Sequence, residues 1–265
     1  MPGSTQARLE AHGLRLPTGY RIATAAEIPE TEPAVDAAMA AVWPEFMRHD
    51  PVAGSSFGRA DRDWPDFQLV LTDAAGAFVA VANSMPLRWD GTDDDLPEGW
   101  VDQGRRAAAD HDAGHRPDTL GAMQIVVRPD LHGGGLSGTM IEAMKAAARA
   151  AGFRAVIACL RPTWKDRYPL TPMDRYAWWT RPDGQPFDPW IRLHVRLGAR
   201  IVKASPRSMP MHGTVADWES WTGMAFPDSG VYIVPRATGP VEIDRERDAG
   251  VHFDQNAWVV HDVGD

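Results

Sequence analysis

Apolar and polar positions follow two periods along this chain, and the changes between them divide it into elements. Tyr20-Arg21-Ile22-Ala23 opens the pattern as a strand after a polar leader. From Pro33 to Met47, Val35, Met39, Val42 and Phe46 recur three or four residues apart. That spacing predicts one face of a helix, opened by a proline near its start. The short apolar runs Phe67–Leu71 and Phe78–Ala82 flank a turn at Asp73–Gly76 and predict a hairpin. Trp89–Asp95 reads as an acidic turn, and Trp100–His115 as a polar helix ended by Gly114.

The second half carries a sharper pattern. Gly121–Val127 reads as a strand halted by Arg128-Pro129, and Gly133-Gly134-Gly135 follows. Leu136–Ala151 then places Met140, Ile141, Met144 and Ala148 on one helical face and stops at Gly152. Phe153–Leu160 is the next strand. Strand, glycine turn, helix and strand make a βαβ unit. Arg161–Gln185, with four prolines, predicts an irregular insertion over 161–187. Asp188–Leu197 predicts a short helix stopped by Gly198, with a strand near Ala199–Ala204. Val231–Val234 reads as the last strand, and 236–265 as a C-terminal extension. No repeat or low-complexity linker divides the chain, so one domain over 1–265 is expected, with its core at about 20–235.

Composition narrows the function. The net charge is -9 and no block of like charge is longer than Asp93-Asp94-Asp95, which argues against nucleic acid as a partner. The single cysteine, Cys159, rules out an internal disulfide framework and a Cys-based zinc site. The leader lacks an apolar signal core, and no run approaches the ~20 apolar residues of a membrane span. A cytoplasmic protein without membrane contact is expected, and a homodimer is allowed.

The glycine turn carries the chemistry. A helix N-terminus leaves backbone N–H groups unpaired at the positive end of a dipole, and glycines let that backbone approach a phosphate closely. The stretch from Met123 through Val126-Val127-Arg128-Pro129-Asp130-Leu131-His132-Gly133-Gly134-Gly135-Leu136-Ser137-Gly138 to Met140 resembles the cofactor motif of the GNAT (GCN5-related N-acetyltransferase) superfamily. Counted from Pro129, His132 takes the Arg/Gln place, Gly135 the first Gly place, and Ser137 or Gly138 the final small-residue place. His194-Val195-Arg196-Leu197-Gly198-Ala199 further resembles the family's Tyr-x-x-x-Gly-Phe segment.

This resemblance implies an α/β fold whose mixed sheet splits into a V between the Gly121–Val127 and Phe153–Leu160 strands. It implies acetyl-CoA or another acyl-CoA as co-substrate. The pantetheine arm would lie on the backbone of Ile125, Val126 and Val127, with the pyrophosphate on His132 to Gly138. The reaction implied is direct attack by the amine of a small-molecule acceptor. Transfer to a hydroxyl or thiol, decarboxylation, and CoA binding without catalysis are the alternatives.

In the family the Tyr protonates the departing thiolate. His194 holds its place, and Tyr168 or Tyr176 in the insertion offers a phenol for the same sulfur. Gln124 stands where some members carry a Glu base, and an amide cannot take a proton, so the base is water, Asp118 or Glu142, or is absent if the amine arrives neutral. Cys159 reads as an inert core thiol, and Asp110-His111-Asp112 with His115 as a solvated helix face rather than a metal site.

Overall fold

A computed structural model describes residues 4–264. Met1–Gly3 and Asp265, the outermost residues of the expected domain, lie outside the described residues. Nine strands form one mixed sheet: β1 (Tyr20–Thr24), β2 (Gln68–Asp73), β3 (Phe78–Leu87), β4 (Thr119–Val127), β5 (Ala155–Leu160), β6 (Arg200–Gly213), β7 (Gly230–Tyr232), β8 (Val241–Asp244) and β9 (Ala249–Asp262). Their order is β1-β2-β3-β4-β5-β9-β8-β7, with β6 along the opposite edge of β9. Among the described residues only β4 and β5 pair in parallel, as the βαβ crossover requires.

Among the described residues the α-helices are α1 (Thr5–Ala11), α2 (Glu32–Val42), α3 (Pro51–Asp63), α4 (Trp100–Asp112), α5 (Leu136–Ala150), α6 (Met173–Tyr176), α7 (Pro189–Arg196) and α8 (Val215–Thr222). On one sheet face α5 buries Met140, Met144 and Ala147 against Leu120, Val127 and Val156, with Leu9 of α1 beside them. α6 and α7 cover the same face further along, over Ala158, Leu160, Ala257 and Val259. The other face carries an indole-rich core, with Trp64, Trp100, Trp218 and Trp258 packed on Ile157 and Cys159. Among the described residues no helix is long and apolar enough to cross a membrane.

The expected V is present, and its cause is local. β4 pairs with β5 from Thr119↔Ala155 to Ala122↔Ala158 and no further. At that point β4 bulges against β3. Asn83 pairs with Gln124 while Ser84 pairs with Ala122, so Met123 is the extra residue. A bulge bends and twists its strand, and here it carries Met123–Val127 away from β5. The Met123 carbonyl is capped by Trp100 Nε1 at 2.8 Å.

One expectation is overturned. The segment read as a C-terminal extension holds β9, which pairs with β5, β6 and β8 and lies in the middle of the sheet. Its buried face runs His252, Asp254, Asn256, Trp258, Val260. The first three of those five side chains are polar, so the apolar alternation that marks a half-buried strand is missing from the sequence.

Candidate active site

Where β4 leaves β5 the sheet is perforated. A cavity of about 630 Å³ passes through the gap, within the size range of a small-molecule site. From one face it is lined by Ile141 and Met144 of α5, Trp190 and His194 of α7, and His261 of β9. From the other it is lined by Met39, Trp43, Phe57 and Trp100. The gap has a second edge on β9. That strand pairs with β8 up to His252 and with β5 from Ala257, so Phe253–Asn256 between them pair with neither strand, and the Gln255 amide donates instead to Thr238 Oγ1 at 2.7 Å.

The glycine turn sits at the first face. Gly133 and Gly135 take φ of 85° and 80°, which L side chains rarely adopt, and a Cβ on either would meet nothing within 4 Å. Among the described residues the backbone amides of Gly133, Gly134, Gly135, Leu136 and Ser137 have no partner. They stand at the N-terminus of α5, where the peptide dipoles sum to partial positive charge. Five free amides on an open, exposed turn fit a pyrophosphate. Ile125, Val126 and Val127 line the cavity beside them, with His132 and Ser137 flanking the glycines. Leu136 buries its side chain in the core, so only its amide is available. Gly138 lies under Leu193 and Leu197 of α7, near enough that a Cβ would touch both. His132 Nε2 donates to the Val127 carbonyl at 2.9 Å, tying the turn back to β4.

The two expected proton-handling residues part company. His194 lines the cavity and is 3% exposed. Its Nδ1 lies 2.9 Å from Nε2 of His261, while its own Nε2 has no partner. Burial, and then His261, hold His194 well below the ordinary imidazole range. Burial, then Lys145, pushes His261 down to about 4. Tyr168 does not line the cavity. It sits in an aromatic cluster with Tyr176, Trp179 and Phe187 that folds the insertion onto itself. Tyr176 is buried as well, its hydroxyl donating to Asp188 at 2.9 Å. Asp188 also accepts from the amides of Thr163, Trp164, Trp190 and Ile191, and so ties the insertion to the start of α7.

On the acceptor face Gln124 ends a chain of side-chain amides. Gln68 Nε2 donates to the carbonyls of Ala60, Trp64 and Ser84. Carbonyls only accept, so Gln68 Oε1 must face Asn83 Nδ2, at 3.0 Å. Asn83 Oδ1 then accepts from Gln124 Nε2 at 2.8 Å, and Gln124 Oε1 accepts from Trp43 Nε1 at 3.0 Å. The chain runs one way and presents Gln124 to the cavity as a carbonyl oxygen. Asp254, fully buried, accepts from Arg161 Nε at 3.0 Å and Thr238 Oγ1 at 2.8 Å. Burial alone would raise its carboxyl, but Arg161, His252 and Thr238 outweigh that and hold it low. Arg161 Nη2 also donates to the carbonyl of Arg236, an arginine at φ 67° whose guanidinium reaches the Val42 carbonyl at the end of α2. Burial pushes the Cys159 thiol up to about 11, although Ser208 bonds it.

Sequence reasoning passed over His261, Asp254, Trp43 and Arg236. The first two lie in the strand that the polar alternation concealed. Trp43 and Arg236 follow a helix end and a short strand, with no local motif around them.

No protein-family model matches the chain. In sequence it is similar to the arginine N-acetyltransferase avaD of Aspergillus versicolor, 30% identical over 287 residues, which span 96% of this chain and 98% of that protein. In structure it is similar to the loading GNATL domain of CurA from Lyngbya majuscula, with TM-score 0.60, 18% identity, and coverage of 92% of this chain and 98% of that one. It is also similar to the GNAT-like decarboxylase GphF in complex with isobutyryl-CoA, with TM-score 0.57, 18% identity, and coverage of 92% and 100%. These two likenesses are of fold alone.

Proposed function

The chain belongs to the GNAT superfamily of acyl-CoA-dependent N-acyltransferases, and from that premise we propose that it moves an acetyl group from acetyl-CoA to the amine of a small amino-acid-like acceptor by direct attack. The observation that carries this reading is the cavity through the sheet at the β4–β5 split. A thioester lying in the gap is reachable by a nucleophile from the opposite face. The five free amides of the glycine turn hold the pyrophosphate, and the free edge of Ile125–Val127 receives the pantetheine amides. His194 stands on the cavity wall as the proton-handling group.

The acceptor end supports an amine that carries a carboxylate. Gln124 offers a carbonyl oxygen that suits an amine N–H. Arg48, Arg161 and Arg236 all line the cavity of a chain whose net charge is -9. Arg161 is spent on Asp254 and Arg48 is paired with Glu45 at 2.7 Å, which leaves Arg236, bonded to the Val42 carbonyl but to no carboxylate, for an anionic group of the acceptor. The likeness to an arginine N-acetyltransferase points the same way, since arginine carries both groups.

The test is product analysis. The protein is incubated with acetyl-CoA and arginine, other amino acids, or their decarboxylated amines. The expected products are an N-acetylated amino acid and an equal amount of free CoA, with Arg236→Ala raising KM for the amino acid but not for its decarboxylated amine. Thioester hydrolysis without transfer, or O-acetylation of hydroxyl compounds alone, would refute the reading.

A further inference from the structure

Away from Gln124 and Arg236, the acceptor side of the cavity is walled with carbon. Met39 of α2, Trp43 just after it, Ala53 and Phe57 of α3, Trp100 of α4 and Met209 of β6 form that wall. Met39, Trp43, Ala53 and Phe57 are only half-buried, which leaves apolar surface unpacked along the cavity. Neither indole has a polar group to spare. Trp43 Nε1 is spent on Gln124 Oε1 at 3.0 Å, and Trp100 Nε1 on the Met123 carbonyl at 2.8 Å. Indole has that one donor and no acceptor, so both rings present carbon alone.

The same bonds fix the layout. Trp43 is bonded to Gln124, and the carbonyl of Val42 beside it takes the Arg236 guanidinium. The groups proposed for the amine and the carboxylate therefore flank one indole, as the two groups on the α-carbon of an amino acid require. Trp100 is anchored one residue back along β4, and Phe57 packs on it with 5.8 Å between ring centroids. The carboxylates on the cavity wall are placed elsewhere. Asp254 is spent on Arg161 and Thr238. Asp166 belongs to the insertion, where its charge acts on Tyr176 of α6, on the face that carries α5 and α7. Among the described residues none lines the cavity beside Phe57 and Trp100 to meet a cationic side chain.

We infer that this wall is the side-chain subsite of the acceptor, and that it selects an α-amino acid with a bulky apolar side chain, aromatic above all, over one with a cationic side chain. The inference rests on the acyl-transfer reading above and names the acceptor class within it. An aromatic ring entering between Trp43, Phe57 and Trp100 leaves water and covers carbon that is otherwise wet. A guanidinium entering there sheds its hydration with no carboxylate to replace it. The cavity, at about 630 Å³, holds far more than an acetyl group and an amine, so the acceptor must bring the volume that fills it.

Kinetics and binding together test the inference. With acetyl-CoA saturating, kcat/KM for phenylalanine should exceed that for alanine by ~100-fold and that for arginine by ~10-fold, since each methylene in an apolar pocket is worth about 10-fold or more. Gly54 of α3 lines the cavity, and a Cβ there would meet nothing within 4 Å. Gly54→Leu fills that space and should lower the phenylalanine-to-alanine ratio by ~10-fold. Gly58→Leu, one turn further along α3 and off the cavity wall, should leave the ratio where it is. Arginine used as well as phenylalanine would mean that the rings hold a cation on their faces, and would overturn the inference. An unchanged ratio in Gly54→Leu would overturn it too, as would an effect seen only with longer acyl-CoAs, which would give the wall to the acyl chain. Calorimetric titration of wild type with the same amino acids, with CoA present, reads the subsite without turnover. If the protein acetylates no amine, the acyl-transfer reading falls. Phenylalanine binding no tighter than alanine overturns the subsite whether or not transfer is seen.

Discussion

The indole of Trp43 donates to the side-chain oxygen of Gln124 across 81 residues of chain, and this bond closes an amide relay anchored on three backbone carbonyls beneath Gln68. The relay has a single direction, so each amide in it has only one workable orientation.

Gln124→Glu should therefore destabilise the fold at neutral pH. The carboxylate would face Asn83 Oδ1, an acceptor that now receives from Gln124 Nε2. An unsatisfied buried acceptor costs about 1–3 kcal/mol. Protonating the new carboxyl restores a donor, so its folded pKa should lie above the unfolded value. The variant should then gain on wild type as pH falls toward 5 and lose again as pH rises. Thermal unfolding of both proteins at pH 5 and pH 7.5 measures this, and an equal deficit at both pH values would contradict the one-way relay.

Gly135→Asp should abolish acetyl-CoA binding while the protein remains folded. The backbone there is at φ 80°, so a side chain costs about 1–2 kcal/mol in a left-handed conformation. The space around its Cβ is open, so no clash adds to that. The carboxylate would stand where the pyrophosphate charge belongs. Calorimetric titration with acetyl-CoA, beside a melting curve, separates the two effects.

Acid should weaken the fold well above the carboxylate range. An imidazole in the unfolded chain titrates near 6.5, whereas His261 is held to about 4 and His194 is also depressed. Between pH 6.5 and 4 the unfolded state binds more protons, so stability falls as pH falls. For His261 the loss at pH 5 is about 2 kcal/mol. Denaturant unfolding at pH 7 and pH 5 should show it, and His261→Gln should flatten part of the slope. A slope that is the same in the variant would refute the assignment.

Cys159→Ala should keep most of the single-turnover rate. The thiol lines the cavity, but burial pushes it up to about 11, leaving almost no thiolate at neutral pH to take an acyl group. Mass spectrometry after a pulse of acetyl-CoA should find no acetylated protein. A covalent adduct at Cys159, or a dead variant, would replace direct attack with a two-step route.

The sequence alone was enough for the βαβ unit and its glycine turn. Gly133–Gly138 between a strand and a helix is a local device, and its amides are free because helix geometry leaves them so. The V was expected from resemblance, while its cause, the bulge at Met123, became visible only against β3. His194 was found through the resemblance to the family's Tyr-x-x-x-Gly-Phe segment, yet its partner stands 67 residues away on β9. Asp254, Trp43 and Arg236 were equally silent. Their environments come from strands and loops that meet only when the sheet assembles. β9 itself was hidden because its buried face places His252, Asp254 and Asn256 where apolar side chains would have announced a strand. Local periodicity reports which residues leave water. It does not report a polar residue buried against partners, because those partners are supplied by distant chain, and only the tertiary structure decides which they are.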